Sequence, residues 1–171
     1  LGIAKSHGGL IEMVSTLGHG TSAVVWLPAT ESSTEAPTKQ DLMPPQGHGE
    51  TILVVDDEES VRKTICTILT LNKYHVLEAV DGAEAVAIFA TNANQIRLVL
   101  TDVMMPVMDG VALAHALRRI APDLVIVGSS GFFGEDEGSD RFERFRAAGV
   151  RTVLQKPYTA NELLETIAVE L

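Results

Sequence analysis

Five side chains in this sequence are of types that do chemistry together. Asp56 and Asp57, with Glu58 behind them, follow directly on the apolar run Ile52-Leu53-Val54-Val55. Asp102 closes the run Leu98-Val99-Leu100-Thr101, Ser130 lies just past Leu124-Val125-Ile126-Val127, and Lys156 comes two residues after Leu154. Clustered carboxylates repel one another unless a cation joins them. All-oxygen ligation selects a hard cation, and two or three carboxylates completed by water suit Mg²⁺. Such an ion keeps coordination positions open for a phosphoryl oxygen. Lys156 would then neutralise a second oxygen and Ser130 would donate a hydrogen bond to a third, which accounts for the three equatorial oxygens of an in-line phosphoryl transfer. A carboxylate can itself be the nucleophile, forming an acyl phosphate.

These groups meet only if the elements carrying them share one edge. The apolar runs at 52–55, 75–79, 98–100, 124–127 and 150–154 are short and rich in β-branched residues, as expected of strands buried on both faces. Amphipathic segments separate them: a helix near 58–71 with Val61, Ile65, Ile68 and Leu69 on one stripe, and a helix to about Asn92 opened by the Asp81/Glu84 spacing of a capping box. Further helices are expected over 110–119, over about 139–148, and after Thr159, where Glu162 repeats the capping-box spacing. Five strands each followed by a helix make an α/β parallel sheet covered on both faces. Right-handed crossovers favour the flavodoxin-like (βα)5 order 2-1-3-4-5, with its cleft at the carboxyl ends of the strands. In that order Asp102 ends the central strand, between the other groups, which makes it the natural nucleophile.

Taken singly, each residue has an ordinary explanation. Asp56 and Asp57 could cap a helix, Asp102 could be a turn acid before Pro106 and Gly110, Lys156 a solvated charge, and Ser129 and Ser130 plain turn residues. Their common register at the strand ends favours the site.

At this point the segment 51–171 resembles the receiver domain of two-component response regulators. The likeness is carried by ILVVDDE (52–58), LVLTDVMMPVMDG (98–110), VIVGSSGF (125–132) and LQKP (154–157), in the family's order. The resemblance implies that Asp102 is the phosphoacceptor, and that Asp57 and Asp102 bind Mg²⁺ directly and Asp56 through water. The main-chain carbonyl of Met104 would be a further ligand. It also makes Ser130 the switch hydroxyl, Lys156 the partner of the phosphoryl group, and the bond to Pro157 cis. Residues 1–29 (LGIAKSHGGLIEMVSTLGHGTSAVVWLPA) resemble the last helix and two strands of a histidine-kinase ATP-binding domain, a short αββ fragment. Thr21 falls where that family places a residue near the adenine; without the rest of the pocket no ATP binding is expected. Residues 30–50 are Ser-, Thr-, Pro- and Gly-rich and read as a flexible linker, with too little apolar surface to offset their ordering entropy.

The order kinase fragment, linker, receiver implies a hybrid sensor histidine kinase as parent. Its receiver would take phosphate from a phosphohistidine on the kinase core or on a histidine phosphotransfer protein. The alternative is a partner-binding receiver with altered output that regulates its own kinase or drains phosphate. A Mg²⁺-dependent phosphatase would need a second Asp where Met104 stands, and a flavin or nucleotide binder would need a glycine-rich loop after the first strand.

Two departures from the family concern output. Val153 stands where many receivers carry Tyr or Phe, and the stretch from Phe132 to Arg146 is longer and more polar than usual.

The remaining composition excludes more than it adds. The 171 residues carry a formal net charge of −10, with no basic block, so contact with nucleic acid or an anionic membrane surface is not expected. No apolar run is long enough to span a bilayer and no signal peptide is visible, so this stretch is expected to be cytoplasmic, its parent being free to carry a membrane anchor. Cys66 is the one cysteine and is expected to be an inert buried thiol. Met104, Met105 and Met108 read as packing residues rather than a copper site. His7, His19, His48, His75 and His115 lack metal-ligand spacing, and Glu135-Asp136-Glu137 reads as a solvated loop.

Overall fold

The apolar runs become the strands of one sheet. In the computed structural model, which describes residues 4, 8–29, 44–131 and 138–171 (138–142 as backbone only), the chain divides into two units, Leu1–Leu42 and Met43–Leu171. In the second unit β3 (Thr51–Val55), β4 (His75–Ala79), β5 (Ile96–Asp102), β6 (Val125–Ser130) and β7 (Thr152–Gln155) pair in parallel in the order β4-β3-β5-β6-β7. That is the expected order 2-1-3-4-5, with Asp102 at the end of the central strand. The helices are α1 (Glu59–Leu71), α2 (Gly82–Asn92), α3 (Gly110–Ile120), α4 (Gly138–Ala147) and α5 (Ala160–Glu170).

Both faces of the sheet are covered. Ile52, Val54, Leu98, Leu100 and Val127 pack with Ile65 and Leu69 of α1 and Leu163, Leu164 and Ile167 of α5. Leu53, Val55, Val99 and Ile126 pack with Phe89 of α2, Leu113 and Leu117 of α3, and Phe145 of α4. Burying such aliphatic side chains contributes about 1.5–3 kcal/mol each, enough to hold the strand ends in register.

Several boundaries differ from expectation. β5 begins at Ile96 rather than Leu98, and β6 runs on through Ser130 because Asp102 still pairs with Ser129. β7 starts at Thr152, since the Val150 N–H instead donates to Phe145 O and closes the end of α4. The end of the stretch assigned to the linker is tied down: Gly47 N donates to Asn72 O, Gly49 N to Lys73 O, and His75 N to Glu50 O, with Gly47 against the Tyr74 ring.

The first unit contains an antiparallel hairpin, β1 (Leu10–Thr16) and β2 (Gly20–Trp26), in register from Leu10↔Trp26 to Thr16↔Gly20. Both of its faces are solvent-exposed, and Thr21 Oγ1 pairs with Ser15 Oγ at 3.0 Å. The helix expected ahead of it, His7, the linker over 30–43, and the segment 132–137 with Glu135-Asp136-Glu137 lie outside the described residues.

Candidate functional site

The carboxyl ends of β3, β5 and β7 bring Asp56, Asp57, Asp102 and Lys156 together, and Ser130 ends the neighbouring β6. Asp56 follows the last ladder pair of β3 and is 1% exposed. A buried carboxylate must be paired, and Asp56 is: Oδ1 accepts from Glu58 N at 2.9 Å and Oδ2 from Lys156 Nζ at 2.8 Å. The same ammonium donates to Asp102 Oδ2 at 3.1 Å, so Lys156 bridges the two acids. Asp102 Oδ1 accepts from Met104 N at 3.3 Å. Oxygens of Asp56, Asp57 and Asp102 all lie within 4.8 Å of one another, with Asp56 buried, Asp57 exposed and Asp102 between the two. Burial alone would pull the Lys156 ammonium down; the Asp56 and Asp102 carboxylates outweigh it and hold the ammonium above its ordinary value.

The loop after Asp102 is folded back tightly. Gly110 N donates to Val103 O at 3.1 Å, and a Cβ on Gly110 would sit 2.3 Å from Asp102 O, so only glycine allows this approach. Asp109 then caps α3 through Ala112 N.

On the far side Lys156 N donates to Ser130 O at 2.6 Å, joining the ends of β6 and β7, and the Lys156–Pro157 bond is cis. Ser130 is 2% exposed and its hydroxyl donates to Gly131 O at 3.1 Å. Met104 lies in the loop beside Asp102, with its N–H turned toward that carboxylate.

Sequence reasoning passed over two residues. Arg62, on the core face of α1, is 8% exposed and donates from Nη1 to Asp56 O at 2.7 Å. It sits at the spacing of the apolar stripe with Ile65, Cys66 and Leu69, and a charge at such a position was the available signal. Tyr158 shares a hydrogen bond with the buried Ser129 at 3.3 Å, and burial pushes its phenol above the ordinary value. No pattern pointed to it.

A tight set of acidic oxygens beside an ammonium fits a hard divalent cation and can hold a phosphoryl group against it. Among the described residues no helix is long and apolar enough to cross a membrane.

The chain as a whole is similar to known proteins. The chain is 31% identical to the sensor kinase CckA of Brucella abortus over 97% of its length, covering 18% of that protein. It is 38% identical to the response regulator MprA of a Mycobacterium species over 66% of its length, covering 46% of that protein. Thus the chain spans under half the length of either relative. Among solved structures it is similar to the chemotaxis protein CheY4 of Vibrio cholerae, at 27% identity and a TM-score of 0.66, over 72% of this chain and 99% of that one. Residues 52–168 match the response regulator receiver domain family, and the chain belongs to it.

Proposed function

We propose that this receiver accepts a phosphoryl group on Asp102, with Mg²⁺ held by Asp56, Asp57, Asp102 and the Met104 carbonyl, and with Lys156 and Ser130 completing the site. The observation that carries this is the Lys156 ammonium joined to both Asp56 and Asp102, beside three carboxylates within 4.8 Å. When bound, the cation supplies charge neutralisation for the incoming phosphoryl oxygens.

An Asp102 carboxylate oxygen attacks phosphorus. The new O–P bond forms as the P–N bond of a phosphohistidine breaks, and the electron pair stays on the imidazole nitrogen. Lys156 releases part of its hold on Asp102 to meet a phosphoryl oxygen. Ser130 swings from the Gly131 carbonyl to donate to another, shifting the β6 edge. Such a shift is a two-state change biased by new contacts.

The phosphodonor is a histidine kinase core or a histidine phosphotransfer protein. The similarity to CckA, a sensor kinase, extends over nearly the whole chain, which supports a hybrid kinase as parent.

Incubation with Mg²⁺ and acetyl phosphate, followed by intact mass measurement, tests the reading. A single phosphoryl adduct is expected, lost on removal of Mg²⁺ and absent in Asp102→Asn. An adduct persisting in that variant would place the acceptor elsewhere.

A further inference from the structure

Arg62 is a charged residue at a core position. It shares its face of α1 with the buried Ile65, Cys66 and Leu69, whereas Lys63 beside it is exposed. Placing a guanidinium there costs free energy unless its donors are satisfied. Two partners satisfy it: Asp56 O at 2.7 Å from Nη1, and Glu78 Oε2 on β4 at 3.4 Å from Nε.

The Asp56 carbonyl matters because of where it lies. The β3 ladder ends at Val55, paired with Ala79 and Thr101, so this carbonyl has no strand partner in a nearly water-free place. It also belongs to the peptide unit whose nitrogen is that of Asp57. The carboxylate of Asp56 is held by Glu58 N and Lys156. The carboxylate of Asp57 is exposed, and among the described residues no hydrogen bond or salt bridge reaches it. Only its backbone fixes where its side chain starts, and Arg62 donates to the carbonyl of the peptide that leads into it. The planar fork of an arginine, gripping β4 with one nitrogen and this carbonyl with another, restrains that peptide as a single ammonium could not.

We propose that Arg62 is a positioning residue for the cation site: it holds the Asp56–Asp57 peptide so that the Asp57 carboxylate points at the same spot as those of Asp56 and Asp102. This rests on the reading of the acidic cluster as a cation-dependent phosphoacceptor site.

The test is cation affinity, measured on the full chain by following free Mn²⁺ in electron paramagnetic resonance titrations and Mg²⁺ by calorimetry. Arg62→Met should weaken binding about tenfold, the scale seen when groups orienting metal ligands are removed, while circular dichroism without metal stays that of the parent chain. Raising Mg²⁺ should restore phosphorylation by acetyl phosphate. Arg62→Lys keeps the charge but not the fork, and should fall between, about threefold weaker. Parent affinity in Arg62→Met overturns the positioning role. Should that variant not fold, parent affinity in Arg62→Lys overturns it equally. If the parent chain itself binds neither ion, the site reading fails and this inference with it; binding by the parent with unchanged variants removes only the role of Arg62.

Discussion

Around Asp102, position is set by directed bonds. Lys156, Met104 N and Glu58 N each hold a carboxylate oxygen at hydrogen-bond distance, and Arg62 holds the adjoining peptide. Around Gly128, one strand across, the sheet ladders fix the strands, but the packing of α4 on them is set by contact. The Phe145 ring from α4 lies so close that a Cβ on Gly128 would be 2.2 Å from Cε1 and 3.0 Å from Cδ1, and Val153 Cγ2 on β7 would be 3.1 Å away. An aromatic ring therefore does pack on this face of β6, but α4 brings it, and Val153 of β7 lies beside it. The Asp102 corner depends on which atoms are charged. The β6–α4–β7 corner depends on shape, so the two should fail in different ways.

Gly128→Ala puts the largest load on that distinction. Phe145 is 1% exposed and cannot leave without opening the core. Overpacking of this kind costs about 2–3 kcal/mol, readable as a lower urea midpoint with an unchanged slope. The Mg²⁺-dependent adduct on Asp102 should still form. Asp102→Asn should do the opposite, losing the adduct and keeping the cooperative unfolding transition. A Gly128→Ala chain as stable as the parent would mean the ring moves freely and the corner is not set by contact.

The same contrast explains how much the sequence could tell. Each acid and the lysine announced a chemistry by type, and strand-end register brought them together. Thr159 and Glu162 form the reciprocal capping box their spacing implied. At the other box, Asp81 accepts from Glu84 N as expected, but the Glu84 carboxylate reaches back to Val80 N. Gly128, Phe145 and Val153 carry no chemical signal; their relation exists only once α4 lies on β6. Tyr74 over Gly47 is of the same kind, and composition alone placed residues 44–50 in the linker. Arg62 was hidden for a different reason: an apolar stripe is read by its apolar members, and the charged one was skipped.

A smaller effect sits in the loop after Asp102, where one residue is held against its own preference. Val107 has φ +66, and Met108 N donates to Pro106 O at 2.7 Å, closing a three-residue turn around it. Such positive-φ turns are strained, more so for a β-branched residue. The side chain is 88% exposed, so removing it loses little packing. Val107→Gly should stabilise the chain by about 1 kcal/mol, raising the melting temperature by a few degrees, with the adduct on Asp102 still forming. An unchanged or lowered melting temperature would show that the loop carries no strain to release.

The smallest effect appears only in alkali, and it extends the charge-based side of the comparison to the underside of α1. Burial, with the Glu78 carboxylate adding to it and Arg62 opposing, pushes the Cys66 thiol up to about 11. An unfolded cysteine ionises near 8.5, so the folded state holds its proton more tightly. The stability this contributes is complete below about pH 8.5 and is lost as pH rises from there toward 11. Iodoacetamide at pH 9 should therefore modify Cys66 far more slowly than a free thiol, and near neutrality this linkage leaves stability unchanged. Arg62→Met removes the opposing charge, so it should slow the labelling further where the fold is intact. Faster labelling in that variant would mean that Arg62 holds the helix closed rather than aiming the acid pair, a result to be weighed against the cation affinities.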